Sequence, residues 1–394
     1  MITVIGWDGS ELSAEALRTL EKATFVTGGS RHLDALPVPP GARTVVMGNV
    51  ERALDELERH DGDAVVLASG DPGFFGIVRA LQQRSLRYAV VPAVSSVALA
   101  FARAGLPWDD ALVVSAHGRD LRPVVNACRA FGKVAVLTGP GAGPSELAEA
   151  LSGLPRSLVV GERLGTADER VTEFSASRPV ARDWAEPNVV LVLAVKPGPS
   201  ERGWLAGPAA APSGWALPDD DFAHRDGMIT KAEVRALVLP RLAPTVGTLV
   251  WDVGAGSGSV AVECARFGAA VVAVERDGQQ VGRIRTNAGR HGVDVQVVTG
   301  AAPAALVGLP DPDAVFVGGG GAEVVAAVVA RQPARVVVAL AALDRLAPVR
   351  DLLHDNGYDV EGTLISASRI APLPDGSSRL AATNPVLVVS GVRP

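Results

Sequence analysis

The ten residues Trp251-Asp252-Val253-Gly254-Ala255-Gly256-Ser257-Gly258-Ser259-Val260 constrain this 394-residue chain more than any other stretch. An apolar run, Leu249 to Val253, leads into glycines at alternate positions, and a helical pattern follows from Val260 to Phe267. Glycine permits positive φ and lets the backbone approach a ligand with no Cβ in the way. The helix behind such a turn aims unpaired N–H groups and a partial positive charge at the same point. A second apolar run, Ala270 to Val274, ends in Glu275, placed to accept hydrogen bonds from ribose hydroxyls. Strand, turn, helix, strand and acid in this order predict an adenosine site. Its residues are Gly254, Ala255, Gly256, Ser257, Gly258 and Glu275, set against the alternative of a merely structural βα turn.

The spacing bears on which adenosine ligand is bound. Dinucleotide folds favour G-x-G-x-x-G, with room for a pyrophosphate over the helix end. Here the pattern is Gly254-x-Gly256-x-Gly258 with Asp252 ahead of it. An acid inside the turn repels a pyrophosphate and suits a cationic amino-acid end. S-adenosylmethionine carries an ammonium and a sulfonium, so it fits better than NAD.

The length predicts two domains rather than one core. No apolar run approaches the roughly 20 residues that span a bilayer, and Met1-Ile2-Thr3-Val4-Ile5 reads as a first strand rather than a leader. A net charge of −6 argues against a nucleic-acid partner. The positive charge is almost all arginine, with lysine only at 22, 133, 196 and 231; forked guanidinium donors suit a polycarboxylate substrate. None of the six histidines stands at metal-ligand spacing from a cysteine or an acid, and no metal is expected. Cys128 and Cys264 lie on apolar helical faces and read as buried thiols, as expected in the cytoplasm.

Strands alternate with helices throughout, which predicts α/β architecture with sheets covered on both faces. The break falls between Lys196 and Asp221, where Pro197, Pro199, Pro208, Pro212 and Pro218 mix with Gly and Ala. The expected division is a first domain over 1–200, a linker over 201–220 and a second domain over 221–394. In the second half a helix is predicted near Gln279 to His291. Strands are predicted at Asp294 to Val298, Ala314 to Val317, Arg335 to Leu340, Tyr358 to Ser366 and Pro385 to Ser390, the last two joined as a hairpin. In the first half, Ala64 to Ala68 leads into Ser69-Gly70-Asp71-Pro72-Gly73, and Tyr88 to Val91 leads into Pro92-Ala93-Val94-Ser95-Ser96. Gly70, Asp71, Ser95 and Ser96 thus offer amides and hydroxyls at one rim of a sheet, where ligands of open α/β sheets bind. A tight turn at Gly70-Asp71-Pro72 and an N-cap at Ser95 are the alternative.

Together these segments resemble one family, the bifunctional decarboxylating precorrin-6Y C(5,15)-methyltransferases of cobalamin synthesis (CobL). The first half resembles a tetrapyrrole methylase domain through Leu67-Ala68-Ser69-Gly70-Asp71-Pro72-Gly73-Phe74-Phe75-Gly76 and Val91-Pro92-Ala93-Val94-Ser95-Ser96. Gly105-Leu106-Pro107-Trp108-Asp109-Asp110, His117-Gly118-Arg119 and Val160-Gly161-Glu162-Arg163-Leu164-Gly165 with Asp168-Glu169-Arg170 extend the match. The second half resembles a Rossmann-like class I methyltransferase domain through Gly227-Met228-Ile229-Thr230-Lys231-Ala232-Glu233-Val234-Arg235, the glycine turn and Val315-Phe316-Val317-Gly318-Gly319-Gly320.

The resemblance implies two S-adenosyl-L-methionine sites serving one precorrin, with methylation of two meso carbons and loss of an acetate carboxyl as CO2. It implies a homo-oligomer; between a cobalt-free and a cobalt-bearing substrate, the fused arrangement favours the cobalt-free one. It places Thr230 and Ala302 beside the second cofactor, and His117, Arg119, Arg225, Lys231 and Arg235 beside substrate, each with a solvated or ion-paired alternative. It nominates no catalytic acid or base. The chain departs from the family at Ala301, where relatives often carry an aspartate, and at Ala339, where many carry an asparagine. The first departure removes a hydrogen bond to the adenine amino group. The triplet Asp219, Asp220 and Asp221 reads as a helix start or a solvated loop. The alternatives are a methyltransferase on RNA or another small molecule, a nicotinamide-dependent oxidoreductase, and a chain in which one domain has lost catalysis.

Overall fold

The computed structural model describes residues 1–195, 206–207, 214–225 and 227–394. Pro197, Pro199, Pro208 and Pro212, with most of the 201–220 linker, lie outside the described residues. The chain divides into two compact units, Met1–Arg119 with Val134–Val195, and Asp120–Lys133 with the described part of Lys196–Pro394. The segment 120–133 thus groups with the second unit, although sequence position places it in the first domain.

The first unit opens with β1 (Ile2–Trp7), α1 (Ala14–Glu21), β2 (Phe25–Gly28), α2 (Ser30–Ala35) and β3 (Arg43–Val46). It continues with α3 (Val50–Glu58), β4 (Ala64–Ser69), α4 (Ile77–Gln83), β5 (Tyr88–Val91) and α5 (Ser96–Ala104). The strands form a sheet in the order β3-β2-β4-β1-β5, parallel at every pair. Central β4 is buried from Ala64 to Leu67, as a strand covered on both faces must be. Side-chain caps start the helices: Ser13 accepts from Ala16 N–H, Asn49 from Arg52 N–H and Ser95 from Ala98 N–H.

Then come β6 (Leu112–Ser115), α6 (Leu121–Ala130, grouped with the second unit), β7 (Lys133–Leu137), α7 (Pro144–Ala150), β8 (Arg156–Glu162), β9 (Arg170–Ser175) and β10 (Asn188–Ala194). Their sheet runs β6-β7-β10-β8-β9, with β8 antiparallel to both β9 and β10. Strict βα alternation therefore fails here, because the turn at Arg163–Asp168 joins β8 to β9 with no crossover helix.

The second unit contains α8 (Ala232–Leu242), β11 (Leu249–Val253), α9 (Ser259–Arg266), β12 (Ala270–Glu275), α10 (Gly278–Arg290) and β13 (Gln296–Thr299). It ends with β14 (Ala314–Val317), α11 (Ala322–Val329), β15 (Arg335–Leu340), α12 (Leu346–Asp355), β16 (Asp359–Ile365), β17 (Ser368–Pro372), β18 (Ser378–Ala382) and β19 (Val386–Val392). Seven strands form one sheet, β13-β12-β11-β14-β15-β19-β16, parallel except for β19, which runs antiparallel to both neighbours. Trp251, Val272, Val315, Val336 and Val389 pack one face, and Val250, Ala273, Phe316, Val337 and Val388 the other.

The last two strands of this sheet pair as the sequence predicts, but they are not a simple hairpin. Between them β17 and β18 form a separate two-stranded ribbon, closed by a turn in which Leu373 N–H donates to Ser377 O at 2.8 Å. Asp375 holds the turn by accepting from the Ser377 amide and hydroxyl.

Candidate functional site

In the second unit the chain leaves β11 through Gly254, Gly256 and Gly258, at φ of +72°, +56° and +74°. Two of these positions are closed to any side chain. A Cβ on Gly254 would meet Gly319 N at 2.9 Å, and one on Gly258 would meet Ile284 Cγ1 at 2.9 Å. Gly256 instead faces open space, with nothing among the described residues within 4 Å of an added Cβ. The turn thus has a packed floor and one bare backbone face, the shape a close-approaching ligand needs.

Glu275, 9% exposed at the end of β12, fixes this turn. One carboxylate oxygen accepts from Gly256 N–H at 2.8 Å, and the other from Arg276 and Asp277 N–H, each at 2.9 Å. A carboxylate offers about four lone-pair positions, so about one remains for an outside donor. Asp252 differs from expectation. It does not line the turn but lies beneath it, 1% exposed, with Oδ2 accepting from Ala261 N–H at 2.9 Å and Oδ1 without a partner among the described residues. Burial pushes its carboxyl up to about 7; the Ala261 amide opposes this and the charge of Glu275 adds to it.

Asn287 on α10 is a site residue that sequence reading missed. Fully buried, it accepts from Ala223 N–H at 2.7 Å and donates to Ala223 O at 3.0 Å and to Ser257 O at 2.9 Å. It ties the segment ahead of Thr230 to the glycine turn. An asparagine amid helical residues carries no signal of its own; only its spacing on the buried face of α10 could have marked it.

The positions expected near substrate separate into two groups. Arg225 lies 3.9 Å from Asp277, the N-cap of α10, and Lys231 Nζ donates to Gly227 O at 2.9 Å. Both are on the segment preceding α8, as is Thr230, whose carbonyl accepts from Arg235. Arg235 is a correction: it is 0% exposed and cannot touch a ligand. Its guanidinium pairs with Glu263 at 3.0 Å and Asp219 at 3.1 Å, donates to Leu217 O and Thr230 O, and stacks over Phe222. A basic residue near a motif looked available; its Nη groups in fact hold the 217–230 segment at Asp219, Thr230 and Leu217, and its Nε pairs with Glu263 on α9. Asp219–Asp221 form a short 3-10 helix, as the helix-start alternative expects, and the solvated-loop alternative falls, since Asp219 is 7% exposed and paired with Arg369 at 2.9 Å. Ala302, after β13, is half-buried and packs against the core beside Ala305 and Leu306.

In the first unit the two serine- and glycine-bearing loops meet. A Cβ on Gly70 would lie 3.3 Å from Ser96 N and 3.4 Å from Ser95 Cα, so only glycine, at φ +58°, fits between the loops. Asp71 accepts from Gly73 N–H at 2.8 Å and Ser95 caps α5 at 3.1 Å. Both side chains thus make the local bonds of the structural alternative, while leaving the Ser95 hydroxyl hydrogen and the second Asp71 oxygen for a ligand. His117 and Arg119 stand exposed beyond the end of β6. Among the described residues no group of three or more His, Cys, Asp or Glu is arranged to hold a metal ion.

Two family models match the chain, one described as tetrapyrrole (corrin/porphyrin) methylases over residues 5–179, the other as a precorrin methyltransferase domain over 220–386. A Sinorhizobium precorrin-6Y C(5,15)-methyltransferase [decarboxylating] is 42% identical over 330 residues, 81% of this chain and 78% of that protein. The chain belongs to this family. Single-activity proteins match parts of it. A Pyrobaculum calidifontis probable cobalt-precorrin-6B C(15)-methyltransferase (decarboxylating) is 36% identical over 44% of this chain and 94% of its own length. A Salmonella typhimurium cobalt-precorrin-7 C(5)-methyltransferase is 32% identical over 49% of this chain and 98% of its own. The decarboxylating precorrin-6Y C(5,15)-methyltransferases methylate a precorrin and remove a carboxyl group in cobalamin synthesis, so this chain is a methyltransferase. The nicotinamide-dependent oxidoreductase and the RNA methyltransferase are thereby set aside. No helix among the described residues is long and apolar enough to cross a membrane.

Proposed function

We propose that each unit binds its own S-adenosylmethionine and that the two together methylate two meso carbons of a precorrin, the second unit also releasing CO2. The observation that carries this reading is the bare backbone face at Gly256, held by Glu275, in a chain whose other unit brings Gly70 against Ser95 and Ser96. When bound, S-adenosylmethionine supplies a methyl group on a sulfonium, a strong electrophile. The residues supply position. Gly254, Ala255, Gly256, Ser257 and Gly258 form the cradle, Glu275 presents its remaining acceptor position to ribose hydroxyls, and Thr230 and Ala302 close the edges. Gly70, Asp71, Ser95 and Ser96 do the same for the first unit.

Holding an electron-rich carbon in line with the methyl group accounts for ~7–11 kcal/mol of barrier, with no covalent nucleophile required. His117 and Arg119 in the first unit, and Arg225 and Lys231 in the second, suit the carboxylates that a precorrin carries. The substrate is cobalt-free, the enzyme works in the cytoplasm as a homo-oligomer, and nucleic acid is not a partner, readings supported by the family resemblance and the net charge of −6.

Mass spectrometry of the tetrapyrrole after incubation with the intact chain and S-adenosylmethionine tests the assignment. Gain of two methyl groups with loss of one CO2 is expected. Gain of one methyl group only would show that one unit is a scaffold.

A further inference from the structure

We propose that Arg31 and Ser69, supported from below by His32, form a carboxylate-binding subsite at the C-terminal rim of the first sheet. The carboxylate belongs either to a side chain of the tetrapyrrole or to the amino-acid end of the methyl donor. This inference rests on the reading of the same rim as a methylation site.

The sheet order puts β2, β4 and β1 side by side, so the residues leaving them converge. Arg31 and His32 follow β2, Ser69 ends β4, and Trp7, paired in register with Ser69, ends β1. Arg31 Nη2 donates to Ser69 Oγ, and His32 Nε2 lies 3.2 Å from the same oxygen. His32 is 4% exposed, with the Trp7 ring edge-on at 5.8 Å, whereas Arg31 and Ser69 are exposed above it. The cluster has a dry floor and an open top.

Arg31 is not among the ion-paired arginines of the unit. Arg43 pairs with Glu56, Arg84 with Glu51, Asp55 and Glu58, Arg103 with Glu169, and Arg182 with Glu162. Among the described residues no carboxylate lies within 4.0 Å of an Arg31 nitrogen, yet partial burial already works against its charge. A guanidinium that is partly covered, still open at its outer face and without an acid beside it favours any anion that arrives.

The proton inventory points outward as well. Burial and the neighbouring Arg31 charge hold His32 down at about 4, so at neutral pH its ring carries one N–H. His32 Nδ1 is buried with no hydrogen-bond partner among the described residues, and a stranded N–H costs more there than a stranded lone pair. The Nε2–H tautomer is therefore favoured, and it donates to Ser69. Ser69 Oγ then accepts from both Arg31 and His32, which leaves its own hydrogen for a third partner. An outward hydroxyl beside a guanidinium without an acid is a donor set for a carboxylate. Ser69 is adjacent to Gly70, which places that carboxylate one residue from the turn assigned to the methyl donor.

The intact chain and its Arg31→Ala, Arg31→Lys and Ser69→Ala variants provide the test. Arg31 is exposed, so Arg31→Ala should fold, which thermal melting checks. Removal of a hydrogen bond to a charged group should weaken the affected ligand by about 10- to 100-fold. A rise of that size in KM for the tetrapyrrole, in the methylation not accompanied by CO2 loss and with S-adenosylhomocysteine affinity unchanged, assigns the subsite to substrate. The same loss in S-adenosylhomocysteine affinity at the first-unit site assigns it to the donor. Under either assignment Arg31→Lys should recover only part of the loss, because an ammonium lacks the fork, and Ser69→Ala should move the same parameter. Unchanged KM and unchanged affinity in Arg31→Ala overturn the proposal. A wild-type chain that binds S-adenosylhomocysteine at one site and adds one methyl group removes the reading beneath it, a failure visible before any variant is made.

Discussion

Asp252 and His32, one buried in each unit, pull stability in opposite directions as pH changes. Burial chiefly, and Arg31 as well, holds His32 at about 4, below its unfolded value of ~6.5. Between those values only the unfolded chain takes up the proton, so the first unit loses stability as pH falls from ~6.5 toward 4. Asp252 is raised to about 7, above its unfolded value of ~3.9. In that window only the folded chain holds the proton, so the second unit loses stability as pH rises from ~4 to 7. Urea titrations across pH 4–7 should show His32→Asn flattening the first slope and Asp252→Asn the second; slopes unchanged by either variant would contradict these protonation states. Neither residue could be read this way from sequence, which shows that an acid precedes the glycines but not that it lies under them. Arg235 teaches the same lesson: residue type and a neighbouring motif suggested a ligand contact, whereas burial and two acid partners, 16 and 28 positions away in sequence, decided against it. Arg31 and His32 belong to no motif; only the sheet order brings them beside Ser69.

Elements were more legible where they repeat a simple period. β11, β14 and β15 fall where their apolar runs predict them, and α9 and α10 lie within a residue of the expected bounds. The misses have physical causes. β8 and β10 are apolar runs like any parallel strand, so nothing local shows that they pair antiparallel. β17 and β18 bury little: Ile370 and Leu380 sit opposite one another at 79% and 71% exposure, so no burial pattern marked them as strands. The element that most constrains the second site is α10, through Asn287. Asn287→Ala removes three buried hydrogen bonds and strands the Ala223 and Ser257 groups they satisfy. We expect a loss of about 2–4 kcal/mol in unfolding free energy for the second unit, together with weaker S-adenosylhomocysteine binding there and none lost in the first. Equal stability to wild type in urea would show that the clamp is dispensable.

At the scale of the whole molecule, two glycine-bearing turns on unrelated sheets each match a separate family model, and proteins covering about half of this chain each carry one of the two methyltransferase names. Both turns close where a strand delivers the chain to a rim and glycine alone fits against the neighbouring loop, Gly70 against Ser95 and Ser96, Gly254 against Gly319. This architecture was legible from sequence because glycine spacing and apolar runs survive without tertiary context. What was not legible was the division of contacts, in which 120–133 groups with the later unit. The central claim, that each unit holds its own methyl donor, is tested most directly by calorimetric titration of S-adenosylhomocysteine into the intact chain. Two sites per chain, reduced to one by Glu275→Ala, are predicted; a single site in the wild type would contradict the account.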